Sequence, residues 1–154
     1  MDTPEPEPVL RPATPADLPA LHQLEQASFA YDQLTQAAFS KAFTSPTSVL
    51  IVYDQGSALG GYVLVMFNRR TKQGRLYSIA VAEGLRGQGI SKTLFDAAEH
   101  ACKARGMHTL RLEVRADNPT LQAMYTRWGF NPCGTVDSYY TDGGTAVKMK
   151  KQLS

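Results

Sequence analysis

The residues from Ser78 to Ser91, reading Ser-Ile-Ala-Val-Ala-Glu-Gly-Leu-Arg-Gly-Gln-Gly-Ile-Ser, constrain the fold more than any other stretch of this chain. An apolar strand passes through a glycine-rich turn straight into an amphipathic helix. The turn leaves several backbone N–H groups free of Cβ crowding, and the helix adds its own unpaired first-turn N–H groups and the positive end of its dipole. That combination suits a phosphate. The segment lacks the Lys-Ser/Thr end of a nucleotide P-loop and the G-x-G-x-x-G spacing of a dinucleotide fold.

The chain has 154 residues, 43% of them hydrophobic, which fits one domain with a sizeable core. Met1 to Pro8 is acidic and proline-punctuated, without the basic start and apolar run of a signal peptide, and reads as a disordered lead-in to a single domain over residues 9–154. The two cysteines, Cys102 and Cys133, show no zinc or staple spacing, so two reduced thiols and no metal are expected. His22, His100 and His108 show no ligand or triad spacing and receive no role. No run of about 18 apolar residues occurs, so the expectation is a soluble, cytoplasmic protein without membrane contact. A net charge of +2 from interspersed charges gives no case for nucleic acid. The densest positive stretch, Lys148-Lys150-Lys151, reads as a solvated terminal strand.

Along the chain, Val9 to Pro12 reads as a strand. Thr14-Pro15 starts a helix with Thr14 as N-cap and proline in the first helical position, running to about Phe29. A second helix is expected over Gln33 to Phe43, ended by Ser45-Pro46. Val49 to Tyr53 and Gly60 to Phe67 are β-branched and aromatic runs joined by a hairpin, and Arg75 to Val81 completes a meander. The helix from Gly89 carries a stripe of Leu94, Phe95, Ala98 and Cys102 and stops at Gly106. Thr109 to Val114 alternates as a strand and, reached through a helix, should lie parallel to the one ending at Val81. Asn118-Pro119 opens another helix, stopped by Gly129. Strands near 133–138 and 146–150, joined across Asp142-Gly143-Gly144, close the chain. The order implies an α/β (α+β) sandwich around a mixed sheet.

Arg86, Gly89 and Ser91 fall on the three defined positions of the pyrophosphate-binding pattern Arg/Gln-x-x-Gly-x-Gly/Ala of the GNAT superfamily of N-acetyltransferases, with Ser91 in place of a small apolar residue. Further on, Leu112-Glu113-Val114-Arg115-Ala116-Asp117-Asn118, then Tyr125 seven residues beyond Asn118, then Gly129-Phe130, resemble the segment that follows the cofactor helix in that family. Two matching segments in the right order are far more specific than either alone. The Leu-Glu-Val-Arg-x-x-Asn run and the Tyr139-Tyr140 pair are most similar to the ribosomal-protein N-terminal alanine acetyltransferases, and Phe29 to Leu34 looks more loosely like their first helix–helix loop. The resemblance implies a mixed sheet of about seven strands flanked by about four helices.

It also implies acetyl-CoA as acetyl donor and direct transfer to a primary amine in a ternary complex. A lysine side chain, pKa roughly 10.4, or an α-amine, roughly 7.7–8.0, must lose a proton before it attacks a thioester. By resemblance Glu113 is the general base, directly or through water, and Tyr125 the general acid that protonates the departing thiolate. The main chain of Ile79 and Val81 would pair with the pantetheine arm, with an N–H near Val81 as oxyanion donor. Amides of Gly87, Gln88, Gly89, Ile90, Ser91 and Lys92 would hold the pyrophosphate, Arg86 would add charge, and Asn118 would bond the pantetheine. Tyr31, Tyr139 and Tyr140 are the acceptor-site candidates, as loop aromatics able to clasp a peptide.

Most of these residues also have an ordinary structural reading. Glu113 could simply pair with Arg111 or Arg115, Tyr125 could be a core aromatic, Asn118 could be a helix N-cap and Arg86 a solvated arginine. The favoured acceptor is a protein N-terminus, with a protein lysine or a small amine behind it. A GNAT-fold module that binds acetyl-CoA without turnover is a separate alternative. Neither cysteine falls at a matching catalytic position, which argues against a covalent enzyme intermediate. Monomer and homodimer are left equal.

Overall fold

A computed structural model describes residues 7–28 and 36–153. Within them seven strands form one sheet: β1 (Val9–Pro12), β2 (Ser48–Asp54), β3 (Leu59–Asn68), β4 (Gln73–Val81), β5 (Thr109–Arg115), β6 (Asn131–Val136) and β7 (Ala146–Gln152). Four helices flank it: α1 (Leu18–Ser28), α2 (Gln36–Thr44), α3 (Ile90–Ala104) and α4 (Pro119–Arg127). The spatial order is β1-β2-β3-β4-β5-β7-β6. Every neighbouring pair is antiparallel except β4 and β5, which run parallel through the α3 crossover, as the sequence leads one to expect.

Two cores sandwich the sheet. On one face Leu21, Leu24 and Phe39 of α1 and α2 meet Val52, Tyr62 and Leu64; on the other Leu94, Phe95 and Ala98 of α3 meet Val63, Val65 and Leu112. The middle of β3 is therefore buried on both sides and reads as a continuous apolar run instead of an alternating one. α3 ends in a Schellman turn, with Gly106 at a φ of +75°. There the Met107 N–H reaches the Cys102 carbonyl at 3.0 Å, and the Gly106 N–H reaches that of Lys103, also at 3.0 Å.

Two boundaries differ from the sequence expectation for identifiable reasons. The helix expected from Pro15 begins as a single 3₁₀ turn, Pro15–Asp17. A continuous α-helix would need an N–H from Pro19 on the Pro15 carbonyl; proline has none, and Leu18 takes that carbonyl instead. β6 begins two residues earlier than expected, because Asn131 already pairs with Lys150, and the tyrosine pair 139–140 falls in the connection that follows.

β4 carries a bulge. The register passes from Leu64↔Ser78 to Val65↔Leu76, which leaves Tyr77 as the extra residue. The bulge shifts the side-chain alternation, so that Leu76, Ile79 and Val81 lie on the α3 face while Ala80 lies with α1 and α2. At the start of β4 a Cβ on Gly74 would stand 2.7 Å from Cys102 Sγ and 3.3 Å from Leu110 Cδ1. Gly74→Ala is expected to cost about 1–3 kcal/mol of stability by overpacking. Adding Cys102→Ala should recover part of that loss, as read by urea unfolding of the single and double variants.

Candidate active site

β4 and β5 are paired only from Gln73↔Thr109 to Arg75↔Arg111, after which they part. The Ala82 N–H donates to the Gly60 carbonyl at 2.9 Å, so beyond the bulge the even-numbered residues turn their backbone groups toward β3. Alternation directs those of Ile79 and Val81 to the opposite edge, where β5 has left. One strand's worth of donors and acceptors thus faces the gap. The Val81 carbonyl takes a long contact from Arg86 Nε, at 3.4 Å.

The gap leads to the glycine turn and a cleft of about 260 Å³ whose walls include Val81, Gly87, Gly89 and Ser91. Gly87 and Gly89 have φ of +83° and +78°, and a Cβ on either would meet nothing within 4 Å. Their absent side chains serve the backbone conformation rather than a close neighbour. Gly89 caps α3, whose first intrahelical bond in the turn runs from Thr93 N to Gly89 O at 3.1 Å. The N–H groups of Ile90, Ser91 and Lys92 have no acceptor within the helix and lie at its positive end. Arg86 and Lys92 line the same cleft, and so does Arg127 at the end of α4. The donor set fits a diphosphate: free amides, a helix terminus and three cations.

Glu113 projects from β5 on the face opposite α3. Its two oxygens are taken by Arg75 Nε at 3.1 Å and by an Arg111 terminal nitrogen at 2.8 Å. Arg75 reaches further, to the Tyr139 hydroxyl at 2.7 Å. A chain of contacts Arg111–Glu113–Arg75–Tyr139 therefore ties the central strand to the β6–β7 connection. Tyr139 stacks edge-on against Tyr140, and Tyr140 lies under the Arg115 guanidinium at 4.6 Å. Arg115 pairs with Asp117 and Asp142, not with Glu113.

Tyr125 sits on the other side of the sheet. It is buried against Trp128 and Phe130, with ring centroids at 5.5 and 5.7 Å. Burial pushes its phenol well above the ordinary tyrosine range, with a smaller contribution from Tyr140, so the group keeps its proton at neutral pH. Glu113 and Tyr125 thus lie on opposite faces of the sheet.

Residues 15–153 match the acetyltransferase (GNAT) domain. The chain belongs to the GNAT acetyltransferases. It is 30% identical over 129 residues to the ribosomal protein bS18-alanine N-acetyltransferase of Escherichia coli (strain K12), covering 82% of this chain and 84% of that one. The solved structure of that type from Escherichia coli superposes with a TM-score of 0.84 at 26% identity, covering 96% of this chain and 94% of the other. Ard1 from Thermoplasma volcanium superposes with a TM-score of 0.87 at 26% identity, covering 96% and 98%. The mixed seven-stranded sheet with four helices is the GNAT fold.

Within this GNAT chain the structure collects Val81, Arg86, Gly87, Gly89, Ile90, Ser91 and Lys92 around one cleft, with Ile79 on the edge leading to it and Gln88 in the exposed turn. Asn118 is the N-cap of α4, its side-chain oxygen accepting from the Leu121 N–H at 3.0 Å, and it lines neither this cleft nor the cavity beside Glu113. Tyr31 and the Phe29–Leu34 loop lie outside the described residues. Sequence reasoning missed Arg75, because the register of a parallel pair has no local signal, and Arg127, because only the docking of α4 brings it to the cleft. It also gave no role to Glu25, which is buried, bonded to the Tyr62 hydroxyl and 3.4 Å from Ser78 Oγ just past the bulge.

The two thiols should behave differently. Burial pushes the Cys102 thiol up to about 12, while Cys133 is exposed. At neutral pH a thiol reagent is expected to modify Cys133 promptly and Cys102 only after denaturant is added, which a two-step colorimetric titration reads directly.

Proposed function

We propose that this protein transfers the acetyl group of acetyl-CoA to the N-terminal α-amine of a protein or peptide by direct attack in a ternary complex. The observation that supports the reading is that Glu113 follows the point where β4 and β5 part, while Tyr125 lies on the opposite face of the sheet. Attack on a thioester needs a proton removed on the side from which the amine arrives and one delivered on the side where sulfur leaves. In this reading Glu113 removes the first proton and Tyr125 delivers the second.

In this reading the unpaired backbone edge at Ile79 and Val81 takes the pantetheine arm as a neighbouring strand would be taken. The N–H groups from Gly87 to Lys92, with Arg86 and Arg127, hold the pyrophosphate. The amine gives up a proton to Glu113, directly or through water, and its nitrogen forms a bond to the acetyl carbon. An N–H near Val81 stabilises the resulting oxyanion. The C–S bond then breaks, and Tyr125 passes its proton to the thiolate. Asn118 serves the N-cap and keeps its amide nitrogen for the pantetheine. Tyr139 and Tyr140 border the acceptor path, and Tyr31 is proposed as their counterpart from the first helix–helix loop.

The choice of an N-terminal amine rests on the names of relatives that cover most of their length with this chain, the bS18-alanine N-acetyltransferases. Among the described residues no helix is long and apolar enough to cross a membrane. The unpaired thiols of Cys102 and Cys133 suit a reducing compartment.

Thiol release from acetyl-CoA is expected with peptides bearing a free N-terminus, and not with N-terminally blocked lysine peptides or small amines. Glu113→Gln and Tyr125→Phe should each lower kcat by about 10²–10⁴-fold with little change in KM for acetyl-CoA. Turnover confined to small amines would overturn the acceptor. Tight acetyl-CoA binding without turnover on any amine would put the non-catalytic module in its place.

A further inference from the structure

The C-terminal lysines do not act as one patch. On β7 the Lys151 side chain crosses to α3 and pairs with Glu99 at 3.0 Å, while Lys148 and Lys150 lie on the opposite face of the sheet, paired in register with Glu113 and Arg111. That face holds a cavity of about 420 Å³ lined by Gln73, Arg111, Glu113, Cys133, Lys148 and Lys150. Arg75 of β4 holds the Glu113 carboxylate from beside it.

The charge there is unbalanced. Glu113, the one carboxylate among the described residues lining the cavity, is already held by Arg75 and Arg111. Among the described residues no carboxylate comes within ion-pair distance of Lys148 or Lys150, although both are only half exposed. Three cations and one carboxylate line this concave surface, with Arg75 on the far side of that carboxylate, where in the reading above the acceptor arrives. A cavity of this sign favours anionic ligands and rejects cationic ones by like-charge repulsion.

Distance fixes which part of an acceptor feels this field. With the amine at Glu113, Lys148 stands directly opposite on the neighbouring strand, at a Cβ separation of about 4.5–5.5 Å, and Lys150 lies two residues further along. An extended chain covers about 3.3–3.6 Å per residue, so the second and third residues of a peptide come within reach of these two ammonium groups.

We propose that the Lys148–Lys150 face reads the residues that follow the acceptor amine, and that it selects peptides with Asp or Glu at the second and third positions. This rests on the N-terminal reading above and names the substrate class within it. Two such pairs, each part-screened by solvent, are enough for about a tenfold preference.

The test uses the full-length protein and three Ala-initiated hexapeptides that carry Glu-Glu, Ser-Ser or Arg-Arg at positions two and three. Both steady-state thiol release and peptide binding by calorimetry are followed. The expected result is a KM for the Glu-Glu peptide about tenfold below that of Ser-Ser and lower still relative to Arg-Arg, with the gap narrowing as salt is added. Lys148→Glu with Lys150→Glu should reverse the order, and the milder Lys148→Gln with Lys150→Gln should level it should the reversal impair folding. Equal KM and binding across the three peptides, or a preference for Arg-Arg, would overturn the proposal. Should no N-terminal peptide be turned over, lysine peptides flanked by Glu or by Arg serve as acceptors. A Glu preference there would support the anion-selective face while removing the N-terminal reading, and no charge preference in binding or turnover would remove the proposal itself.

Discussion

The parallel contact between β4 and β5 runs from the Gln73 and Thr109 pair to that of Arg75 and Arg111 and then ends. A parallel sheet could continue there, since β4 extends six residues further and β5 four. Its ending leaves backbone donors and acceptors without a strand partner, groups that a ligand or water can satisfy. The site is thus an interruption in a hydrogen-bonded ladder, and the remaining features gather at its borders. The glycine turn stands at one end, Glu113 on one face and Tyr125 on the other.

The bulge at Tyr77 decides what that interruption can offer. Were Tyr77 paired in regular alternation instead of bulged out, Ile79 and Val81 would point their side chains away from α3, and Ser78 would not meet Glu25 and Tyr62. Ser78 Oγ and the Tyr62 hydroxyl lie 2.8 Å apart, next to the buried Glu25 carboxylate. A small polar network thus holds the strand in its shifted phase from the α1 side, while Leu94 and its neighbours hold it from the α3 side. The backbone edge at the gap is fixed from both faces.

Much of this was legible in the residues because it depends on local chemistry. The Gly106 stop, the Asn118-Pro119 start and the glycine turn before α3 are each set by backbone preferences within a few residues, and each appears where the pattern puts it. The mixed sheet followed from chain order and the crossover rule. What stayed hidden depends on register and docking. Arg75 meets Glu113 only because Arg75 lies opposite Arg111, and Arg127 meets the glycine turn only through the placement of α4. Pro19 shows a milder failure, since its helix was recognised but the missing N–H changed how it starts. The lysines at 148, 150 and 151 read as one charged stretch, yet strand alternation divides them between two faces with different partners.

β6 closes the sheet in a particular way. All six of its residues are exposed, Pro132 cannot donate from its nitrogen, and the register jumps from Pro132↔Met149 to Gly134↔Lys148, so that Cys133 is bulged out. An edge with a missing donor and a local kink is a poor template for a further strand. The outer rim next to the cationic cavity is thereby a poor place for the sheet to grow by strand addition, although Cys133, Gly134 and Val136 leave it partly apolar.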